Sequence, residues 1–215
     1  MSGFSRPVRM PAPSATRLLA IVIALLALGG CASWQPATTA SAPDFQRWRQ
    51  RVAVINDMTE WQLNGRISVS GEATEDAQGK LAWQQRDRAF KLNVRGPFGI
   101  GATRIAGDGQ SVTVKNKDGE YYAANAEVAI REQIGWQVPI DSLRYWVLGR
   151  PAPEGIAKLV INSRGQLASI TQHGWSVAYA EYDEATRPVD LPKRLVATRP
   201  GVQVRLAIDA WRLNP

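Results

Sequence analysis

One cysteine, one histidine and scattered carboxylates are the side chains with which this 215-residue sequence could do covalent or acid–base chemistry. Cys31 is the only cysteine, which excludes an intramolecular disulfide and a cysteine-based metal site. His173, also alone, precedes Gly174 and reads as a solvated turn residue between two strands. A histidine metal cluster or a Ser-His-Asp triad would need partners that the sequence does not present. Glu72, Glu75 and Asp76 fall in a loop, and Glu181, Asp183 and Glu184 at a strand end. No carboxylate pair stands beside an aromatic cluster, as glycoside hydrolysis would require. The Gly99-Ile100-Gly101 and Gly107-Asp108-Gly109 spacings lack the Lys-Ser/Thr and following helix of a phosphate loop, and read as turns. Neither an enzyme nor a metal or diffusible cofactor is expected.

What the Cys31 thiol could do follows from the residues before it. Arg6, Arg9 and Arg17, with no acid among them, precede an apolar run over 18–28. That run is 11 residues long, well short of the roughly 20 that a membrane-spanning helix needs, and reads as the core of a signal peptide. Leu28-Gly29-Gly30-Cys31 then sets two small residues before the thiol, and resembles the lipobox cut by lipoprotein signal peptidase. Residues 1–30 are therefore expected to be removed and Cys31 to carry a covalent lipid, the one non-protein group foreseen. Ala32 and Ser33 follow, where inner-membrane lipoproteins of enterobacteria usually carry Asp. By that resemblance the destination is the outer membrane, facing the periplasm.

Removal of residues 1–30 leaves 185 residues and lowers the net charge from +7 to +4, enough chain for a single domain with a sizeable core. A mild basic excess without Lys/Arg runs gives no signal for nucleic acid and suits anionic lipid or an acidic partner.

The elements that follow are read from periodicity. Residues 34–42 are rich in Ala, Thr, Ser and Pro, a composition that cannot bury a core, so 31–43 is expected to be a flexible tether and 44–215 the folded domain. Asp44 is expected to cap a helix running to about Asn56, with Phe45, Trp48, Val52 and Ile55 forming one apolar stripe. From Trp61 the period becomes two, with Leu63, Gly65, Ile67 and Val69 alternating with Gln62, Asn64, Arg66 and Ser68. Further strands are expected around Leu81 and Trp83, around Phe90, Leu92 and Val94, at Ile105, and at Val112 and Val114, split by turns that include Asp108-Gly109 and Asp118-Gly119. Two short helices follow, 126–134 stopped by Gly135 and 140–148 beginning after Pro139 and stopped by Gly149. Strands resume at 156–162, 166–172, 175–182, 193–198 and 202–211. Strands this closely spaced must be antiparallel, because a parallel crossover needs a dozen or more residues. The expected fold is mainly β: an incomplete (half) barrel of about eleven antiparallel strands with three helices covering an apolar cavity. Eight tryptophans, with no catalytic constellation to serve, point to packing or an apolar ligand surface.

Ordered short segments carry a family resemblance. Trp61-Gln62-Leu63-Asn64-Gly65-Arg66-Ile67, Gly79-Lys80-Leu81-Ala82-Trp83 and Gly96-Pro97-Phe98-Gly99 come first. Then follow the run from Leu143 through Tyr145-Trp146-Val147 to Pro151, Gln172-His173-Gly174-Trp175, and Leu191-Pro192-Lys193. In order and spacing the chain resembles the LolB family of outer-membrane lipoprotein receptors. The resemblance implies a monomeric LolA/LolB-like half-barrel with an apolar cavity. It implies that acylated lipoproteins are accepted from a LolA-type periplasmic carrier and inserted in the outer membrane. Trp83, Leu92, Trp146 and Val147 are the candidate lining of that cavity. Pro97, Phe98 and Gly99 would form the membrane-insertion loop, with Phe98 where the family commonly has Leu. The alternative is a structural or assembly lipoprotein that docks other envelope proteins without binding acyl chains.

Overall fold

The computed structural model describes residues 41–74, 76–96 and 101–214. Cys31, the tether as far as residue 40, and the loop residues Pro97, Phe98 and Gly99 lie outside the described residues.

The first helix, α1 (Ala42–Asn56), starts three residues earlier than expected. Ser41 is the cap, and Asp44 is the third residue of the helix, not the cap. Its carboxylate reaches back to accept from the Ser41 backbone N–H at 2.8 Å and from Ser41 Oγ at 2.6 Å, satisfying donors that the first turn leaves open. Those bonds hold the Asp44 carboxyl below the usual carboxylate range. Of the expected stripe, Ile55 is fully buried, Trp48 is half-buried against the core and Phe45 is exposed. The helix therefore lies at one margin of the core.

Eleven strands follow the period-two pattern. They are β1 (Glu60–Ser70), β2 (Ala77–Arg86), β3 (Ala89–Arg95), β4 (Ala102–Gly107), β5 (Val112–Asn116) and β6 (Gly119–Ala123), and, after α2 (Ala126–Ile134) and α3 (Ile140–Trp146), β7 (Lys158–Ile161), β8 (Leu167–Gln172), β9 (Trp175–Asp183), β10 (Leu191–Arg199) and β11 (Val202–Leu213). They form a single antiparallel sheet in the order β6-β5-β4-β3-β2-β1-β11-β10-β9-β8-β7. The sheet is two meanders joined by the first and last strands, and its end strands β6 and β7 do not pair, so the barrel stays open. Ten of these strands are legible as apolar patterns; β6 is not, because Glu120 and Tyr122 on it are exposed and it is held at the edge only by β5.

The seam between the meanders depends on one glycine. Trp61 to Ser70 pairs with Leu213 to Gln203, and the register slips between Asn64 and Gly65, where β11 carries an extra residue. A Cβ on Gly65 would sit 2.2 Å from the Ala207 carbonyl oxygen, so only glycine lets β1 approach there.

Alternation sends one side of every strand into a single core, continuous from Ile55 through Trp61, Trp83 and Ile105 to Trp146, Val177 and Ile208. The ring of Trp61 lies 5.2 Å from that of Trp83 and 5.7 Å from that of Trp211. Trp146, from α3, lies 6.5 Å from Trp175 of β9. α2 packs on β5, β6 and α3, and with α3 covers the inner face of the sheet.

Candidate functional site

The four residues expected to line a cavity all face the core. Trp83 is 1 % exposed, Leu92 5 %, and Trp146 and Val147 0 %. They come together as two pairs. Trp83 and Leu92 stand directly opposite each other on β2 and β3, while Trp146 ends α3 and Val147 follows in its cap. The first pair belongs to the floor of the sheet and the second to the helical cover above it.

The polar tips of both tryptophans are satisfied inside the core. Trp83 Nε1 donates to Gln85 Oε1 at 3.0 Å, and Gln85 Nε2 in turn donates to the carbonyls of Asp87 and Ala89. Trp146 Nε1 donates to Gln172 Oε1 at 3.1 Å. Buried Gln172 uses all of its amide: its oxygen also accepts from the Ala152 N–H at 3.0 Å, and its Nε2 donates to the carbonyls of Ala152 at 3.0 Å and Glu154 at 2.8 Å. Tyr179 of β9 donates its hydroxyl proton to the Trp146 carbonyl at 2.9 Å; burial pushes that phenol well above its usual pKa. Together these bonds fasten the end of α3 to β8 and β9.

His173 is the exposed turn residue that its sequence suggests, and it also joins the same fastening. It holds φ +52° in a two-residue hairpin with Gly174, the left-handed pair that such a turn requires. Its Nε2 faces the Glu154 carbonyl at 2.8 Å and its Nδ1 faces Ser142 Oγ at 2.9 Å. A carbonyl only accepts, so in the neutral ring Nε2 carries the proton and Nδ1 accepts from the Ser142 hydroxyl. Nδ1 is spent on α3 and Nε2 on the chain after it, so the Ser142–His173 pair lacks the orienting carboxylate of a nucleophilic triad.

The other side of α3 is basic. Arg144 and Arg150 lie on the Tyr145 ring, at 4.9 and 4.7 Å from its centroid. Arg150 donates to Asn56 Oδ1 at 2.7 Å, tying the loop after α3 to the end of α1; burial lowers its guanidinium pKa from the ordinary value. α2 is held more lightly. Its buried residues are Ala126, Ala129 and Ile130, and its first turn is capped by Asn125, which accepts from the Val128 N–H at 2.9 Å. Glu127 in that turn is half-buried, and burial, then the charge of Asp141, push its carboxyl above the usual range.

A cleft of about 390 Å³ opens beside α3, among Phe90, Ser111, Asn125, Asp141, Arg144 and His173. Its walls are largely polar, unlike what an acyl chain needs. Among the described residues no group of three or more His, Cys, Asp or Glu side chains converges on a metal position, and no helix is long and apolar enough to cross a membrane. Sequence reasoning missed Gln172, whose position on the inward parity of β8, two residues after buried Ile170, was the available signal.

An open antiparallel sheet whose inner face is mainly apolar, with the buried amides of Gln85 and Gln172 hydrogen-bonded within it, roofed by short helices bolted on at one end, is the architecture of a sheet-and-lid protein. A structure of a DUF1329 family protein from Desulfovibrio piger shares this fold, at TM-score 0.51 with 5% sequence identity, over 82% of this chain and 94% of that one. The family described as outer membrane lipoprotein LolB matches residues 59–211. The outer-membrane lipoprotein LolB of Chromohalobacter salexigens is 31% identical over 99% of this chain and 98% of its own length, and that of Pseudomonas putida 35% identical over 89% and 92%. The chain belongs to the LolB family of outer-membrane lipoproteins.

Proposed function

We propose that the chain, anchored in the outer membrane by a lipid on Cys31, accepts acylated lipoproteins from a LolA-type periplasmic carrier and inserts them into that membrane. The observation that carries this reading is the continuous apolar inner face of the sheet under its helical cover, from Trp83 and Leu92 on the floor to Trp146 and Val147 above. Each acyl CH₂ exposed to water costs about 0.8 kcal/mol, so a cargo with two or three chains would lose on the order of 20 kcal/mol by crossing the periplasm bare. A surface that takes those chains from a carrier, yet holds them less well than a bilayer does, lets each handover run downhill without a nucleotide.

With all four lining residues at 5 % exposure or less, an acyl chain gains the floor only when part of the cover moves. α3 is fastened through Gln172, Tyr179 and His173, whereas α2 sets two alanines and two isoleucines against the core and takes one long side-chain hydrogen bond from the sheet, from Asn116 to the Gln133 carbonyl. α2 is the segment that gives way.

The test is transfer. The chain from residue 32 on is mixed with a purified LolA-type carrier loaded with an acylated lipoprotein, and cargo is followed by co-purification and then into liposomes. Cargo should pass to this protein and then to the lipid. A folded protein that takes no cargo would leave it a docking lipoprotein without an acyl site.

A further inference from the structure

The face of the sheet turned away from the core is strongly basic in one area. Arg66 of β1 stands directly opposite Lys80 of β2, and Lys80 directly opposite Arg95 of β3. On the next row Arg104 of β4 stands opposite Lys115 of β5. Arg205 of β11 adds a sixth exposed cation opposite Ser68. Directly opposed side chains have Cβ atoms about 5 Å apart, and like charges there destabilise a sheet. The chain bears that cost three times, between β1 and β2, between β2 and β3, and between β4 and β5.

Carboxylates do not neutralise the area. Asp209 pairs with Arg66 at 3.1 Å and Glu120 with Lys115 at 3.2 Å, both in water. Among the described residues Lys80, Arg95, Arg104 and Arg205 form no ion pair. Their outward neighbours in register are small or neutral: Ala102 opposite Arg95, Asn93 opposite Arg104, and Ala207 opposite Arg66. Asp209 beside Arg66 and Glu120 beside Lys115 leave the other four cations without a carboxylate, so their long side chains can lie along a negatively charged partner.

We propose that the outer face of β1 to β5 is a docking surface for the anionic headgroups of a phospholipid bilayer. Charge complementarity selects the partner, and membership of an outer-membrane lipoprotein family keeps a bilayer within reach of this face. Several cations spread over neighbouring strands match an array of headgroups better than one bound ion. Docking this way presents the sheet's outer face to the membrane and leaves the helical cover turned away from it. It requires neither carrier nor cargo, so its test stands apart from the transfer reading.

The experiment is sedimentation of the chain from residue 32 on, which holds every described element and the whole core, with large vesicles. One set is phosphatidylcholine and the other contains about one third phosphatidylglycerol. The protein should pellet with the anionic vesicles, stay in solution with the neutral ones, and be released by added salt. A basic residue at an anionic surface is worth about fivefold in partitioning, so Lys80→Gln with Arg95→Gln should weaken it about 25-fold. Arg88→Gln with Lys158→Gln removes the same charge away from the ladders and should keep most of the binding. Lys80→Arg with Arg95→Lys keeps the charge and should bind as the parent does, with all variants melting at or above the parent temperature. No binding to anionic vesicles, or equal losses in the two charge-removing variants, would overturn the proposal. So would binding by neither vesicle set coupled to a loss of cargo uptake in the Lys80/Arg95 variant, which would make the face a dock for an acidic protein.

Discussion

The indole N–H of Trp146 donates to Oε1 of Gln172 at 3.1 Å, both groups buried. This bond joins the helical cover to the sheet, and it belongs to a glutamine whose other three bonds, one accepted from Ala152 and two donated to Ala152 and Glu154, fix the chain after α3. Gln172→Leu leaves the Trp146 and Ala152 N–H donors and the Ala152 carbonyl without partners in a dry site, while the Glu154 carbonyl keeps His173 Nε2. It should lower unfolding stability by about 3 to 5 kcal/mol, read from the urea midpoint. Gln172→Glu should fare no better, because a carboxylate cannot donate to the two carbonyls.

Gly65 should tolerate no side chain. The Cβ of Gly65→Ala would meet the Ala207 carbonyl at 2.2 Å and the Ile208 Cα at 2.9 Å, both backbone of the partner strand. The variant should lose about 3 kcal/mol and melt roughly 10 °C lower. A melting curve matching the parent's would show that the seam between β1 and β11 is looser than its register.

Glu127 gives α2 a pH dependence. Its folded carboxyl titrates above the ordinary value of 4.5, through burial first and the Asp141 charge second, offset in part by Arg199 and His173. An acid raised in the folded state binds its proton more tightly there than in the unfolded chain. Its contribution to stability is therefore present below the unfolded pKa and is lost as pH rises through the folded one. Glu127→Gln should accordingly melt higher than the parent at neutral pH, with the difference vanishing in acid. Amide exchange in α2 should slow in the same variant, while exchange in α3 stays unchanged.

Cys31→Ala should leave the protein without its lipid, since only the thiol can take a diacylglyceryl group. Radioactive palmitate fed to cells should label the parent alone. The Ala, Thr, Ser and Pro composition of residues 34–42 cannot bury a core, so the melting temperature should not move.

Phe98 is the residue assigned to the insertion step. Under that reading Phe98→Glu keeps its melting temperature and still takes cargo from the carrier, but fails to deliver it to liposomes, because a carboxylate cannot enter the acyl boundary. A drop of about 3 kcal/mol, as for a lost buried aromatic, together with poor acceptance would instead mark Phe98 as part of the core. Normal acceptance and delivery would remove it from the mechanism.

Much of the architecture is written locally. Alternation from Trp61 to Val69, the closely spaced turn residues, and the Gly135 and Gly149 stops identify antiparallel strands and short helices, because those patterns depend on neighbours two to four positions away. The resemblance of Leu28-Gly29-Gly30-Cys31 to a lipobox is local in the same sense. Trp83 and Leu92 on strands, and Trp146 and Val147 on a covering helix, were legible as inward-facing for that reason. The pairing of β1 with β11, and with it the need for Gly65, is decided by closure of the whole chain. β6 became a strand only because β5 offered it an edge. Gln172 looks like a surface residue in a hairpin until α3 folds down and supplies Trp146 as its partner, and the exposed turn residue His173 gains Ser142 in the same way. The basic ladders are invisible in sequence, where Arg66, Lys80 and Arg95 stand more than a dozen residues apart. Cross-strand register alone brings them side by side, since a slip of one residue in any strand would turn them to the other face.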